Sequence, residues 1–416
     1  MADADTTGLV EDLFRRESAH LVAALTRLLG PSNLSLAEDV VQDALLRAMD
    51  AWRFGAPRDP KAWILQAAKN RAIDIIRRDR RLARLPELES EWTLPGAVAS
   101  ALSPAEDAAN QLAMMFSICD EALSPETHIT LILRLLCGLS PAEIARAFLM
   151  DTATIDRRLH RGRARLQGLG HLHDVSDPRD VCARQPSVLH ALYLLFSEGY
   201  HGSDAENPLH PVMCSDAIRL AELLLASPAT DHASAHALGA LFCFNAARLS
   251  TRLDDAGILV PLAAQDRAQW DRALTERGVM HLAGASAGHR LTRWHLEAGI
   301  ACEHTIAPSV QETNWARIVA LYDELLAETP GPIVAMNRAL AVAELRGLDE
   351  GRRALQAVAS DEKLSGYHFF WASLADIERR AGRPTEARAL YERAMALSRS
   401  PAERGAYQRK IALLED

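Results

Sequence analysis

Aromatic residues make up only 5 % of the 416-residue chain, and stretches in which Val, Ile or Thr alternate with polar residues are hard to find. Little is left from which to build a half-buried pleated sheet. No apolar run approaches the ~20 residues that a membrane-spanning helix needs. Residues 1–8 are polar and acidic, not basic and then apolar. Neither a secretion signal nor a membrane partner is expected, and the expected compartment is the cytoplasm. The six cysteines (Cys119, Cys137, Cys182, Cys214, Cys243, Cys302) include no C-x-x-C pair, which sets aside a disulfide framework and a zinc site. No metal and no cofactor is expected. Positive charge is not in excess either: the net charge is −9 at pH 7, which argues against a protein that coats nucleic acid indiscriminately.

What is abundant is Ala, Leu, Arg and Glu at helical spacing, with 49 % hydrophobic residues. An all-α protein is expected, and its length allows two or three domains of ~150 residues. Residues 9–84 read as a compact helical domain, with Leu13, Leu21, Leu25 and Leu28 on one stretch and Val40, Ala44, Leu45 and Ala48 on the next. Ser35-Leu-Ala-Glu38 has the form of a capping box and Asp59-Pro60 that of a second helix start. Residues 85–102 carry Pro86, Pro95 and Gly96 without an apolar period and read as an extended linker. Residues 103–170 follow as a short bundle whose helices open with Ser103-Pro104, Ser124-Pro125 and Ser140-Pro141, Pro taking the first helical position. A helical middle domain is expected over 186–306. Over 312–416 an internal repeat aligns Gly347-Leu-Asp-Glu-Gly-Arg-Arg-Ala-Leu355 with Gly382-Arg-Pro-Thr-Glu-Ala-Arg-Ala-Leu390. The spacing is close to the ~34-residue tetratricopeptide period. Stacked helix pairs of that kind form a groove, in which a peptide or protein ligand, or another part of the same chain, is expected.

Two segments carry local positive charge. In the first, Lys69-Asn70-Arg71-Ala-Ile-Asp-Ile-Ile-Arg77-Arg78-Asp-Arg80-Arg81, a basic face is interleaved with Ile73, Ile75 and Ile76. A face of this kind can neutralise phosphates, although a solvated helix would look the same. The second runs from Ser140 through Phe148, a short turn at Leu149-Met150-Asp151, and Thr152 to Leu166. Ile144 and Phe148 can pack on Ile155 and Leu159, with Ala145 at the crossing, as a helix-turn-helix requires. The outer side of its second helix then presents Arg157, Arg158, His160, Arg161, Arg163 and Arg165, with no acidic residue from 157 to 165. Residues 186–416 contain dispersed histidines and no nucleophile or carboxylate motif, so no enzymatic activity is expected.

In their order, Leu36-Ala-Glu-Asp-Val-Val-Gln-Asp43-Ala, Trp52, Pro60-Lys-Ala-Trp63-Ile and Asn70-Arg-Ala-Ile-Asp74-Ile-Ile-Arg-Arg resemble region 2 of extracytoplasmic-function sigma factors. The unit from Ser140 to Leu166 resembles their region 4. The later segments Leu192-Tyr-Leu-Leu-Phe-Ser-Glu-Gly-Tyr200 and Gln265-Asp-Arg-Ala-Gln-Trp-Asp271 resemble the subgroup with a long C-terminal extension. The resemblance implies promoter DNA and core RNA polymerase as partners, the latter through the β′ clamp helices and the β flap. It places Glu38, Asp39, Gln42 and Asp43 against the clamp helices. Trp52, Arg53, Asn70, Arg71, Arg77, Arg78 and Arg80 would lie at the −10 element. Thr152, Thr154, Arg157, Arg158, His160, Arg161, Arg163 and Arg165 would lie at the −35 element, where Arg158 or Arg161 can read guanine bidentately. Asp156 departs from the family pattern by placing an acid there. The extension is expected to regulate the sigma domains in cis. The competing reading is a polymerase-independent helix-turn-helix regulator or a tetratricopeptide scaffold.

Overall fold

The computed structural model describes residues 2–52, 57–81, 94–148, 150–173, 175, 177–201, 209–288, 290–398 and 400–414. Among these residues there are α-helices and short 3-10 turns but no strand; an isolated antiparallel bridge pairs Leu253 with Leu259. The all-α expectation holds, because apolar residues recur at three and four throughout. The chain divides into two compact units, residues 1–195 with 222–231 and residues 196–221 with 232–416.

The first unit opens with α1 (Ala2–Leu29), α2 (Leu34–Ala51) and α3 (Pro60–Arg81). Leu21, Leu25 and Leu29 of α1 meet Ala37, Val40, Val41, Ala44 and Ala48 of α2 and Ile64, Ala68, Ala72 and Ile75 of α3, all buried. The alanines let the helices approach closely, and the leucines fill what remains. Asp59 caps α3 by accepting from the Ala62 amide at 2.9 Å. The capping box expected at Ser35 and Glu38 is not formed. Gly30-Pro31 starts a 3-10 turn over Pro31–Asn33, so that α2 begins at Leu34 with Asn33 as its N-cap. Ser35 and Glu38 therefore lie inside the helix, and their side chains are free to bond elsewhere.

The segment expected as an extended linker is partly helical. Residues 82–93 lie outside the described residues, but α4 (Leu94–Ala101) follows them and buries Val98 and Leu102 in the contact it makes with α1 and α3. Its small residues carry no apolar period, and Pro95 is tolerated in a first turn, which is why the helix did not show in the pattern. Next come α5 (Pro104–Ile118), α6 (Pro125–Leu135), α7 (Pro141–Ala147) and α8 (Thr152–Gln167), each of the first three beginning at a Ser-Pro pair. At α7 the capping box is complete: Ser140 N donates to Glu143 Oε2 at 2.6 Å and Glu143 N to Ser140 Oγ at 3.2 Å. The unit continues into α9 (Pro178–His201), which starts before the boundary expected at 186 and carries Pro186 in its interior. Val181, Val188, Leu189 and Leu192 of α9 are buried.

The second unit takes the end of α9, most of α10 (Pro211–Leu223), and α11 (His232–Ala246), α12 (Arg272–Ala285) and α13 (Arg293–Ile306). It then stacks α14 (Trp315–Glu328), α15 (Pro332–Arg346), α16 (Leu348–Val358), α17 (Glu362–Ser365), α18 (His368–Arg380), α19 (Pro384–Leu397) and α20 (Pro401–Ala412). Three successive apolar clusters run along this stack. Leu296 and Ile300 meet Ile318 and Leu325; Met336 and Leu355 meet Phe370 and Ile377; Ala375 and Tyr391 meet Tyr407. Each helix pair buries its face on the next, as in a solenoid. The glycines aligned in the internal repeat occupy equivalent turns with positive φ, 100° at Gly347 and 72° at Gly382, which a side chain would strain.

Within the first unit, Gly162 of α8 lies against Leu131 of α6, and a Cβ built on it would stand 2.5 Å from the Leu131 side chain. Replacing Gly162 with Leu should destabilise the full chain by about 1–3 kcal/mol. A denaturant melt reads this as an earlier midpoint, and an unchanged midpoint would show that the crossing is loose.

Candidate nucleic-acid interface

Helix α8 is positioned by its apolar stripe. Ile155, Leu159, Gly162 and Leu166 are buried, and Ile155 and Leu159 pack with buried Ile144 of α7. Its first turn is locked by side chains: Asp151 Oδ1 accepts from Thr154 N at 2.8 Å, Thr154 Oγ1 donates to Asp151 Oδ2 at 2.7 Å, and Arg157 Nη2 donates to Thr154 Oγ1 at 2.7 Å. The Thr154 hydrogen bonds hold the Asp151 carboxyl below its ordinary range. Arg157 is thus fixed at the start of an exposed face that also carries Thr152, His160 and Arg161. Neither His160 nor Arg161 makes an ion pair among the described residues. Arg158 is half-buried at the edge of the same face, near Glu126. Asp156 is exposed there too.

Arg163 and Arg165 do not belong to that face. Arg163 Nη2 donates to Glu38 Oε1 of α2 at 2.6 Å, and Arg134 of α6 lies 3.7 Å from the same oxygen. Gln167 Nε2 adds a bond to Ser35 Oγ at 3.3 Å. Arg165 Nη2 donates to Asp120 Oδ2 at 3.0 Å, and Arg184 of α9 stands 3.6 Å from that oxygen. At about 100° per residue, these two arginines fall on the flanks of α8, where they reach protein carboxylates. Burial alone would raise the Asp120 carboxyl, but the Arg165 hydrogen bond, the Ala122 amide and the two guanidinium charges outweigh it and hold Asp120 below the usual carboxylate range.

The region around α3 divides in the same way. Gln66, Asn70 and Arg77 share one exposed face, on which Gln66 Nε2 donates to Asn70 Oδ1 at 2.9 Å. Gln66 was not among the expected residues; its place one turn before Asn70 is the signal that identifies it. Arg71 points aside and pairs with Asp43 of α2 at 2.6 Å. Trp52 is not a free stacking platform: its ring packs between Phe14, at 5.3 Å, and Trp63, at 5.6 Å, and its indole nitrogen is buried with no acceptor among the described residues. Trp63 is half-buried on this cluster. Arg53 and the Arg78 and Arg80 side chains lie outside the described residues.

On α2, Asp39 and Gln42 are exposed, whereas Glu38 and Asp43 are taken by Arg163 and Arg71. Leu46 and Met49, 51 % and 59 % exposed, continue the Asp39–Gln42 face at helical spacing. Sequence periodicity does not single them out, since a large apolar residue on an outer face is informative only once its exposure is known. No group of three or more His, Cys, Asp or Glu residues placed to hold a metal occurs among the described residues, and none of their helices is long and apolar enough to cross a membrane.

A capped helix pair with a basic outer face, joined within one unit to a three-helix bundle with its own polar and basic faces, is the arrangement of a DNA-binding protein. Residues 13–82 match the model of Sigma-70 region 2 and residues 121–166 that of Sigma-70, region 4. Residues 184–286 match a family of unknown function, DUF6596. An uncharacterized protein of Rhizobium meliloti (strain 1021) is 34 % identical over 376 residues, covering 89 % of this chain and 88 % of that protein. No solved structure matches the chain. The chain belongs to the extracytoplasmic-function sigma factors, with an additional C-terminal helical domain. It is a sigma factor for promoter recognition by RNA polymerase.

Arg161→Ala should leave the melting curve unchanged, weaken binding to promoter DNA and lower the salt slope of that binding by about 1. Arg165→Ala should instead lower the melting temperature; equal melting for both variants would contradict the division. Because the folded Asp120 carboxyl titrates below the unfolded one, its stabilisation is complete above the unfolded value and is lost as pH falls through the folded value. Melts from pH 6 downward should show a shallower acid loss in Asp120→Asn than in the natural chain, and parallel curves would remove Asp120 from the account.

Proposed function

We propose that this sigma factor engages the promoter through two faces and the polymerase through a third. Thr152, Thr154, Arg157, Arg158, His160 and Arg161 of α8 would enter the major groove at the −35 element, with Arg161 or Arg158 bidentate to guanine. Gln66, Asn70 and Arg77 of α3 would follow the −10 strand. Asp39, Gln42, Leu46 and Met49 would meet the β′ clamp helices, joined by Glu38 and Asp43 once these exchange their arginine partners, and the region 4 bundle would meet the β flap. The observation that carries this reading is the exposed face of α8 with Arg157 and Arg161, whose first turn is held by the Asp151–Thr154–Arg157 chain.

A consequence for control follows from Glu38. While Arg163 holds its carboxylate, Glu38 would be withheld from the polymerase face, and exchange of that partner would accompany docking. Arg163→Ala should bind core polymerase more tightly in the absence of DNA, by about tenfold if the pair contributes about 1.4 kcal/mol. Unchanged or weaker binding would show that Glu38 has no part in docking. The C-terminal extension would regulate initiation in cis. Run-off transcription with core polymerase on promoters near the protein's own gene tests both points: initiation should require the chain and fall in the Arg157→Ala/Arg161→Ala variant. A chain ending after Asp231 that initiates to the same level as the full chain would remove the extension's role.

A further inference from the structure

Two sequence segments that the promoter interface does not use converge in the second unit. Tyr200 ends the first and Arg267 and Trp270 lie in the second, while Arg248 and Arg252 stand beside them. Arg248 Nη2 donates to the Tyr200 hydroxyl at 2.5 Å and to Asn245 Oδ1 at 2.8 Å. The Arg252 guanidinium lies 3.8 Å above the Tyr200 ring centre, and that of Arg248 lies 5.7 Å from it. Arg267 stacks at 4.6 Å on the Trp270 ring and donates from Nη1 to the carbonyls of His304, at 2.6 Å, and Ala307, at 2.8 Å. The loop is fixed: Trp270 Nε1 donates to Thr251 Oγ1 at 3.0 Å, and Val260 N donates to Arg252 O at 2.8 Å.

What this cluster lacks among the described residues is a paired carboxylate. None of the three arginines makes an ion pair with an Asp or Glu among the described residues. The Arg252 Nε is buried without a hydrogen-bond partner. The charges that act on the cluster's own members are its own: Arg252 bears on Arg248, Arg248 on Arg267, and Arg248 and Arg267 on His304. Burial, and then these cations, push His304 down to about 4, so the imidazole is neutral and adds no charge of its own. Grouped guanidinium groups without a counter-charge cost folding free energy and are retained where an anion completes them.

We propose that Arg248, Arg252 and Arg267 form a binding site for a small phosphate-bearing ligand in the C-terminal extension. Arg252 supplies the unpartnered Nε–H, and the nitrogens of Arg248 and Arg267 not engaged by Tyr200, Asn245 and the two carbonyls supply the rest. Guanidinium forks suit the several acceptor oxygens of a phosphate, and three positive charges exceed what a single carboxylate balances. The aromatic rings behind Arg252 and Arg267 keep the two side chains extended and preorganised. The site is independent of how the extension acts on the sigma domains.

Isothermal titration of the full chain with inorganic phosphate, in buffer of matched chloride ionic strength, tests the site. One phosphate per chain is expected, with binding weakened at least tenfold in Arg252→Gln and retained in Arg157→Gln/Arg161→Gln, which removes the competing cations of α8. Arg252→Gln should also melt at or above the temperature of the natural chain, since removing an uncompensated charge relieves repulsion; a structural arginine would show the opposite. Absence of phosphate binding, equal binding in Arg252→Gln, loss of binding with the α8 pair, or a response to malonate without one to phosphate would overturn the proposal.

Discussion

One carboxylate ties α2 to α8 in the first unit, beside the packing of α1 on α5. Glu38 sits inside α2, where the Pro31 turn has freed it from the capping role that its spacing from Ser35 suggested, and it accepts from Arg163 of α8 while Arg134 stands close by. It is 18 % exposed and Arg163 is 29 % exposed, so the pair is neither fully screened nor stranded in a dry interior. A pair in that setting gives register as much as stability. It holds α8 against α2 at one flank and leaves the opposite face open.

Asp120 plays the complementary part at the other flank, tying the end of α8 to α9 through Arg165 and Arg184. Of the five arginines that the sequence places along α8, two pair with carboxylates of neighbouring helices, and the remaining three lie on one side or at its edge. The same economy appears on α3, where Arg71 is drawn to Asp43 and Asn70 and Arg77 are left facing outward. Region 4 also does not end where its sequence motif does. His173 N donates to Ser117 Oγ at 2.8 Å, and Gln185 pairs with the backbone of Asp231 through both amide groups. The first turns of the extension are therefore part of the same folded unit as the helix-turn-helix.

Much of this was legible in the chain. Ser-Pro pairs mark three helix starts, and Ile144, Ile155 and Leu159 announce the helix-turn-helix packing. Gly347 and Gly382 mark equivalent turns because only a glycine occupies that backbone region without strain. Four features were not legible, each for a physical reason. The capping box at Ser35 was overridden by a proline four residues upstream. Helix α4 is built of small residues with no amphipathic period. The rings around Trp52 and the partners of Arg71, Arg163 and Arg165 depend on residues distant in sequence, and a charge run does not say which of its members meets solvent. The arginine cluster of the second unit was invisible for the same reason, since the absence of a carboxylate paired with it among the described residues is a fact of three dimensions.

We propose that the Glu38–Arg163 pair, one of several contacts between the first three helices and α5–α8, holds α8 against α2 in the free protein and gives way when the chain meets polymerase. Fluorescence energy transfer between labels on α2 and α8 of the full chain measures this directly. The account predicts high transfer in the free protein, a fall on adding core polymerase, and a lower starting value in Arg163→Ala. Transfer that stays the same with and without polymerase would contradict it.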